Sequence, residues 1–312
     1  MEIRQLRLFV AVAEEGSIHR GARRMHMAQP PASQALRKLE CAVGGPLFHR
    51  SSRGVVLTEA GLHLLEHARE ILARVDGAME SVRRVAGGPA NRVHLRVGLM
   101  AGVVAAGDLT WPIIGQFRRT HPEVDVEVQP LNFDEQFDAV GDGTVDVALV
   151  RGPFFDDRTE IRPLFTEPRL MCFSTAHPLA ERESLAVDDV LDFPMLQMVR
   201  TPREFRDFWQ LNEARGGPPP RSHADSAVSL LEVASTLVSS NVVMPVGSSA
   251  WRLELQSPLL RALPLHGVAS SDVAVAYPNR QRNPYAVAFA DCAREVCERQ
   301  LALVPNAELL PV

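Results

Sequence analysis

The chain has 312 residues, of which 46% are hydrophobic, and a net charge of −5. This length allows two or three globular domains, and no apolar run approaches the roughly 20 residues that a membrane-spanning helix needs. The N-terminal segment lacks the small-residue cleavage site of a secretory signal, so we expect a cytoplasmic protein. The four cysteines have neither metal-ligand nor CxxC spacing, which predicts buried structural thiols rather than a disulfide framework.

The net charge hides a difference between the two ends of the chain. Residues 1–58 contain nine Lys or Arg and four Glu, for a local charge of +5, so the remaining residues carry −10. A basic segment attached to an acidic body is typical of nucleic-acid binding that is confined to one end. The sequence therefore predicts a nucleic-acid partner for residues 1–58.

Three helices are predicted in the first 40 residues. An apolar stripe at helical spacing ends at Gly16, a typical C-cap, and Ser17 is suited to cap a second helix over about 18–25. The third helix, QPPASQALRKLE at 29–40, begins with prolines that suit a first helical turn. Its apolar residues Ala32, Leu36 and Leu39 form the inward stripe. The residues left for the outward face and the first turn are Gln29, Pro30, Ser33, Gln34, Arg37 and Lys38.

The polar face of the third helix has the composition of a recognition helix. Gln and Arg side chains make bidentate hydrogen bonds to adenine and guanine edges, whereas Ser and Lys commonly hold phosphates. For an isolated helix, a solvated polar surface is the simpler interpretation. The segment that follows favours DNA binding, because GGPLFHRSSRGVVLTEAG predicts a two-stranded wing with Arg50 and Arg53 near its tip. Such a wing lies beside a groove and clamps the phosphate backbone.

These motifs resemble the N-terminal signature of LysR-type transcriptional regulators. The resemblance runs from LRLFVAVAEEGS through GARRMHMAQPPASQALRKLE to GPLFHRSSRGVVLTEAG, over about sixty residues without a gap. It implies a winged helix-turn-helix in residues 1–58 that binds double-stranded operator DNA in a homo-oligomer. One departure is Ala28, where the family usually has a Ser or Thr N-cap, and this change predicts a looser start of the recognition helix.

A long helix is predicted over the linker, residues 59–88. Seven apolar residues repeat with spacings of four and three, a period of 3.5 that is typical of a coiled coil. The linker helix of the family supports dimerisation, while the alternative is a single helix that buries this seam against its own domain. The seam positions are Leu64, Ala68, Ile71, Val75, Ala78, Val82 and Val85.

The linker also contains a motif that imitates a zinc site. His63, Glu66 and His67 fit the H-x-x-E-H pattern of a zinc peptidase family, but a third ligand and a catalytic cleft are needed as well. We interpret the motif as a solvated helix surface. The sequence has no GxSxG elbow, no phosphate-binding GxxxxGK[ST] loop and no GxGxxG motif after a strand, so we expect no enzyme, no metal and no cofactor.

Residues 89–312 alternate between predicted strands and helices after the break at Gly87–Pro89. This order predicts βαβ units in a mainly parallel sheet, within an overall α/β fold. The pattern is similar to the two-lobed effector domain of the same family, which resembles periplasmic binding proteins. We expect lobe I at about 89–161 and 266–303, and lobe II at about 162–265. The segment alone also suits a ligand-carrying binding protein, an alternative that the basic N-terminus disfavours.

A small-molecule effector is expected between the two lobes. Ligands of open α/β sheets lie at the carboxyl ends of strands, where helix N-termini present free N–H groups. Arg151 or Arg200 would hold a carboxylate there, or else serve as a surface or hinge arginine. In relatives that bind small acids, Ser or Thr often occupies the loop after the first strand, where this chain has Met100. The candidate effector residues are Met100, Ala101, Gly102, Asn132, Arg151, Arg200, Thr201 and Gly247.

Overall fold

The computed structural model describes residues 2–25, 27–51, 54–85, 93–154, 157–218, 226–280 and 283–311. The chain forms two compact units, Met1–Ala90 and Asn91–Val312, and each has a hydrophobic core of its own. Over these ranges, no helix combines the length and the apolar character that crossing a membrane requires.

The N-terminal unit consists of three short helices, a hairpin and a long helix. Its elements are α1 (Ile3–Glu15), α2 (Ile18–Arg24), α3 (Gln29–Val43), β1 (Phe48–Ser51), β2 (Gly54–Leu57) and α4 (Glu59–Val85). The predicted caps are confirmed: Gly16 ends α1 with a left-handed φ of 58°, and the Ser17 side chain accepts a hydrogen bond from the Arg20 amide. Thr58 Oγ1 caps α4 by accepting a hydrogen bond from the Gly61 amide at 3.0 Å.

Apolar side chains from α1, α3, α4 and the hairpin form the core of this unit. The predicted inward stripe of α3 is confirmed, because Ala32, Leu36 and Leu39 have no exposed surface. Helices α1 and α2 approach each other closely at Gly21, where a Cβ atom would lie 2.5 Å from Cγ2 of Val12. The unit is therefore held in one arrangement by packing that tolerates little extra volume.

In the C-terminal unit, the chain first forms part of lobe I, then forms lobe II, and then returns to complete lobe I. The first segment, in lobe I, comprises β3 (Val93–Met100), α5 (Thr110–Thr120), β4 (Val124–Leu131), α6 (Glu135–Asp138), β5 (Val147–Arg151) and β6 (Thr159–Glu167). Lobe II comprises β7 (Arg169–Ser174), β8 (Leu185–Ala186), β9 (Gln197–Met198), α7 (Arg203–Trp209), α8 (Asn212–Arg215), β10 (Ser226–Ala227), α9 (Leu230–Ser239), β11 (Met244–Gly247), α10 (Ser248–Ala250) and β12 (Leu260–His266). The return to lobe I comprises β13 (Ser271–Pro278), α11 (Tyr285–Gln300) and β14 (Glu308–Leu309).

The sheet of lobe I is mixed rather than mainly parallel. Its strand order is β14-β6-β13-β5-β3-β4, in which β3 pairs in parallel with β4 and β5. Strand β13 lies between β5 and β6 and is antiparallel to both, because the chain re-enters this sheet from the other lobe. The βαβ pattern predicted the direction of β3, β4 and β5 but was wrong for the returning strand.

Lobe II has a four-stranded sheet with the order β11-β7-β12-β8, in which β7 is antiparallel to both neighbours. Helices α7 and α8 are separate, because Leu211 adopts a left-handed φ of 57° between them. The chain crosses between the lobes at Pro168 and again over residues 267–270. Strand β6 thus extends lobe I to Glu167, beyond the expected boundary near 161.

Three of the four cysteines are buried and Cys41 is exposed, which corrects the expectation of four buried thiols. Burial raises the pKa of Cys172 and of Cys297 to about 12, and that of Cys292 to about 11. These three thiols are therefore protonated core residues at neutral pH.

Candidate functional site

The outward face of α3 presents polar side chains to solvent. Gln29, Gln34, Arg37 and Lys38 are exposed, as is Pro30 in the first turn, while Ser33 is half-buried. Because the opposite face is fixed in the core, this face has a defined orientation. Such a surface is available for hydrogen bonds to base edges.

The start of α3 has no side-chain cap, since Ala28 occupies the N-cap position in extended conformation. Pro30 and Pro31 lie in the first turn, and neither has a backbone N–H group to be capped. Two of the donors that an N-cap side chain usually serves are thus absent. The prolines therefore reduce the cost of the missing Ser or Thr.

The predicted wing is present as the antiparallel pair β1 and β2. Phe48 lies opposite Leu57 at its base, and Arg50 lies opposite Val55 one pair from the tip. The Val55 amide donates a hydrogen bond of 3.0 Å to the Gly16 carbonyl, which fixes the hairpin against the end of α1. Arg53 and the side chain of Arg50 lie outside the described residues, so their role stays a prediction.

Arginines of α2 pair with glutamates of α1. Arg24 lies 2.7 Å from Glu14, Arg69 of α4 lies 3.1 Å from the same carboxylate, and Arg20 lies 3.4 Å from Glu15. Burial acts to raise the pKa of Glu14, but hydrogen bonds from Arg69 and Arg24 outweigh it and hold that pKa below its usual value. These arginines join helices of the bundle, whereas Arg37 and Lys38 of α3 are exposed to solvent.

The heptad positions of α4 divide into two groups. Ala68 has no exposed surface, and Leu64 and Ile71 pack against the core of the N-terminal unit. Because Ala68 is fully buried within its own unit, it cannot contact a partner chain, and its assignment to a dimer seam is corrected. This half of α4 is instead packed on its own domain, as in the alternative interpretation. Val75 is half-buried, and Met79, one turn further along, is 52% exposed. The side chains of Ala78, Val82 and Val85 lie outside the described residues.

A cavity opens between the two lobes at the carboxyl ends of β3 and β5. Its volume, counted to the solvent at its mouth, is about 390 Å³. Lobe I supplies Met100, Ala101, Val104, Phe133 and Arg151. Lobe II supplies Met198, Phe205, Trp209, Leu230, Met244, Pro245, Val246, Gly247 and Ala250. The lining is predominantly apolar, as is typical of small-molecule sites.

Four of the eight predicted effector residues line this cavity: Met100, Ala101, Arg151 and Gly247. The lining does not include Gly102, Asn132, Arg200 or Thr201. The side chain of Thr201 donates a hydrogen bond of 3.0 Å to the Met198 carbonyl. The backbone amide of Asn132 donates one of 2.7 Å to Glu135.

Arg151 is a buried ion-pair partner and not a surface arginine. Its side chain donates hydrogen bonds to Glu167 at 2.6 Å, to Ser271 at 3.2 Å and to the Val104 carbonyl at 2.9 Å. Glu167 has no exposed surface and also accepts hydrogen bonds from Ser248 and from the Ser249 amide. These groups come from both lobes, and Glu167 and Ser271 flank the two crossings between the lobes. The ion pair therefore connects the cavity wall with the crossings, which form the hinge.

Gly247 is required by this ion pair. A Cβ atom at this position would lie 2.4 Å from Glu167 Oε1 and 2.8 Å from Arg151 Nη1. Any larger residue would push the carboxylate and the guanidinium out of place.

Two further ion pairs connect the lobes near the cavity. Arg200, which has a left-handed φ of 61°, lies 3.0 Å from Asp134 of lobe I. Arg252 of lobe II makes two hydrogen bonds to Asp108 of lobe I. Arg200 was a candidate for holding a carboxylate ligand, and in this structure its partner is a carboxylate of the protein itself.

The aromatic part of the cavity was not predicted from the sequence. Phe205 and Trp209 lie one turn apart on α7, and Phe133 immediately follows the candidate Asn132. A search for apolar side chains next to the strand-end candidates would have found Phe133.

Residues 3–62 match the bacterial regulatory helix-turn-helix proteins of the lysR family, and residues 90–298 match the LysR substrate binding domain. The chain belongs to the LysR family. This LysR protein is 31% identical to the HTH-type transcriptional regulator AlsR of Bacillus subtilis, over 70% of its own length and 72% of AlsR. It is 33% identical to the uncharacterized regulator YnfL of Escherichia coli, over 63% of its own length and 65% of YnfL.

Solved structures of LysR regulators share its fold. The crystal structure of CbnR, a LysR family transcriptional regulator, has a TM-score of 0.59 at 22% identity and covers 95% of this chain and 99% of CbnR. From the two family matches, the present LysR protein is a DNA-binding transcriptional regulator with an effector-binding domain. Its exposed α3 face lies in the segment matched to the helix-turn-helix family, and its cavity lies in the segment matched to the substrate-binding family.

Proposed function

We propose that this LysR regulator reads operator bases with Gln34 and Arg37 of α3 and holds phosphates with Ser33, Lys38 and the wing. The observation that carries this proposal is the exposed polar face of α3 above a stripe with no exposed surface. Gln and Arg are suited to bidentate contacts with base edges, and Lys acts as a point charge on phosphate. Gln29 and Pro30 lie at the end of α3 that enters the groove in this docking geometry.

The test is fluorescence anisotropy on operator fragments selected from genomic DNA by the purified chain. Gln34→Ala and Arg37→Ala should each reduce the preference for operator over scrambled DNA by about 10-fold. Arg50→Ala and Arg53→Ala should weaken binding to both DNAs and lower the dependence on salt. Arg299→Ala, an exposed arginine of α11, is the control and should change neither. Uniform effects of all four N-terminal variants would refute the division between reading and clamping.

The dimer of this regulator is proposed to form through the C-terminal half of the linker helix, from Val75 onward. Two copies of α3 would then meet two operator half-sites related by the two-fold symmetry of the protein. Met79 is added to this surface because it is an exposed apolar side chain one turn from Val75. The functional division proposed is DNA binding by residues 1–58, dimerisation within 59–88 and effector binding by 89–312.

The effector is proposed to occupy the cavity between the lobes. Leu230 and Leu231 are neighbours on α9, but Leu230 lines the cavity whereas Leu231 is 80% exposed. Leu230→Trp should fill the cavity and abolish the effector response of a reporter placed behind the bound operator. Leu231→Trp should leave this response intact. A normal response in Leu230→Trp would remove the cavity from the mechanism.

We further propose that the protein acts in the cytoplasm and has no catalytic activity. Relatives such as AlsR are transcriptional regulators, and Arg151, paired with Glu167, is the only charged residue that lines the cavity in the described part of the chain. A cavity of this kind binds a ligand without the acid and base that most reactions require.

A further inference from the structure

The connection between helix α3 and the wing is organised by one residue of α3. The backbone carbonyl of Glu40 accepts hydrogen bonds from the amides of Gly44 and Gly45 at 3.0 and 3.1 Å. Its carboxylate reaches further along the chain and accepts a hydrogen bond of 3.1 Å from the Leu47 amide. Because Leu47 directly precedes β1, Glu40 ties α3 to the start of the wing.

Packing contributes little to the order of this connection. A Cβ atom at Gly44 or Gly45 would meet nothing within 4 Å among the described residues. The buried anchor is Leu47, whose side chain is 1% exposed. One buried side chain does not set the direction of the strand that follows it, so the hydrogen bonds of the backbone determine how the wing leaves α3.

The N-cap of the linker helix α4 holds the same segment. Thr58, which is 8% exposed, donates a hydrogen bond of 2.8 Å from Oγ1 to the Pro46 carbonyl. Its amide donates one of 3.0 Å to the Leu47 carbonyl. Since Thr58 Oγ1 also accepts the Gly61 amide, one hydroxyl group caps α4 and holds the base of the wing. A Cβ atom at Gly61 would overlap the Leu47 carbonyl oxygen, so the approach of the two segments is close.

All backbone hydrogen-bonding groups of Pro46 and Leu47 are thereby used. Proline has no N–H group, the Leu47 amide pairs with Glu40, and both carbonyls accept hydrogen bonds from Thr58. The wing begins immediately after this dipeptide, with Phe48 opposite Leu57. A wing that is fixed at its base before DNA arrives loses less conformational freedom when it binds.

We propose that Glu40 and Thr58 are positioning residues for DNA binding, which hold Pro46 and Leu47 so that the wing clamps phosphates while α3 reads bases. Neither residue is proposed to touch DNA. The inference rests on the proposed function, because it takes the wing as a phosphate clamp. It also gives a role to a half-buried acidic side chain on a helix that exposes Arg37 and Lys38.

Fluorescence anisotropy of the full chain on operator fragments, repeated at several salt concentrations, tests the role of Glu40. Glu40→Ala removes the acceptor of the Leu47 amide, whereas Glu40→Gln keeps an oxygen that accepts the same hydrogen bond. Both variants lose the same negative charge, so the charge does not contribute to their difference. We expect Glu40→Ala to bind operator about 10-fold more weakly than Glu40→Gln, with a slope of log Kd against log salt that is lower by about one to two per chain.

Thr58→Asp combined with Glu59→Gln separates the cap of α4 from the hold on the wing. An ionised Asp is a good N-cap but has no hydrogen to donate to the Pro46 carbonyl. Glu59 is exposed in the first turn, and its neutralisation keeps the local charge constant. The double variant should lower the salt dependence as Glu40→Ala does. Thr58→Ser, which keeps the hydroxyl group, and Glu59→Gln alone should bind like the unmodified chain.

The salt dependence separates positioning from a purely structural role. Loss of stability alone would lower the melting temperature, measured by circular dichroism, and leave the slope of the folded protein unchanged. Binding is therefore measured at a temperature at which every variant is folded. The preference for operator over scrambled DNA should change by less than about twofold, because the inward stripe of α3 stays in the core. A loss of preference as large as that of Arg37→Ala would contradict the inference, since α3 itself would have moved.

The wing variants Arg50→Ala and Arg53→Ala separate this inference from the proposed function. If they lower the slope but Glu40→Ala and the Thr58 double variant do not, the wing keeps its role as a clamp and the positioning inference is wrong. If the arginine variants leave the slope unchanged, the phosphate role of the wing and the inference both fail. A lower slope in all of these variants, with Glu40→Gln and Thr58→Ser unaffected, is the result that we expect.

Discussion

Gly247 shows how one backbone position sets the geometry of the ligand cavity. Its missing side chain leaves room for the Glu167 carboxylate and the Arg151 guanidinium, which lie 2.6 Å apart. We expect Gly247→Ala to lower the free energy of unfolding by about 1–3 kcal/mol, because the added methyl group forces a buried ion pair to move. Urea unfolding of the full chain, followed by circular dichroism, measures this change.

The control for this substitution is Gly217→Ala, since a Cβ atom at Gly217 meets nothing within 4 Å. Equal stability of the two variants would show that the ion pair tolerates displacement. Gly247 was predicted as a site residue from its position after a strand, and that rule is independent of the ion pair. Arg151 and Glu167 are 16 residues apart and Gly247 is 80 residues further on, so their meeting depends on the tertiary fold.

The thiols provide a second test at the scale of single residues. Cys41 is exposed, whereas Cys172, Cys292 and Cys297 are buried and have pKa values raised to between about 11 and 12. Because the thiolate is the reactive form, iodoacetamide at pH 8 should modify one thiol per native chain. Intact-mass spectrometry counts the modified thiols. Cys41→Ser should reduce the count to none, and modification of that variant at the same rate would contradict the assignment.

At the scale of elements, helix α4 packs into the core of the N-terminal unit over its first turns and is proposed to dimerise beyond them. Its first turns pack into the N-terminal unit through Leu64, Ala68 and Ile71, while Val75 and Met79 lie beyond that core. We expect Val75→Asp combined with Met79→Asp to convert dimers into monomers, because two charges would be buried in an apolar interface. Light scattering on the full chain measures the mass. Persistence of the dimer would place the main interface elsewhere.

Two single variants define the limits of that interface. His63→Asp, at an exposed position of the first turns, should leave the dimer intact. Ile71→Asp should lower the thermal stability of the N-terminal unit, because Ile71 packs against its core. A fully stable Ile71→Asp monomer would restore this residue to the dimer seam.

The heptad period identified the apolar positions of α4 but not their partners. Over three turns, a coiled-coil seam with a period of 3.5 and the apolar stripe of a helix packed on a small domain give the same spacing. Ala68 and Val75 could therefore not be distinguished in the sequence.

Strand β12 was also not predicted from the sequence. Its residues alternate between buried and exposed, but Pro264 lies within the run and disfavours a strand, and here β12 is flanked by β7 and β8.

At the scale of the whole effector-binding unit, the two lobes are joined by groups that no local pattern predicts. The α/β class and the strand-end location of the cavity follow from alternating elements and the rule for open sheets. The direction of β13 depends instead on the path of the chain through the second lobe. Likewise, Asp108 meets Arg252 from 144 residues away, and neither residue belongs to a motif.

The contact between Arg200 and Asp134 leads to a prediction about lobe closure. The two side chains lie 3.0 Å apart across the lobes, next to a hydrogen bond of 2.9 Å from the Phe133 amide to the Val228 carbonyl. We expect Arg200→Ala to open this edge more often, so that the Phe133 amide exchanges with deuterium several-fold faster. Arg203→Ala is the matched control, because Arg203 pairs with Asp207 within α7 and does not cross between lobes. Equal exchange in both variants would show that the backbone hydrogen bond closes the lobes without the ion pair.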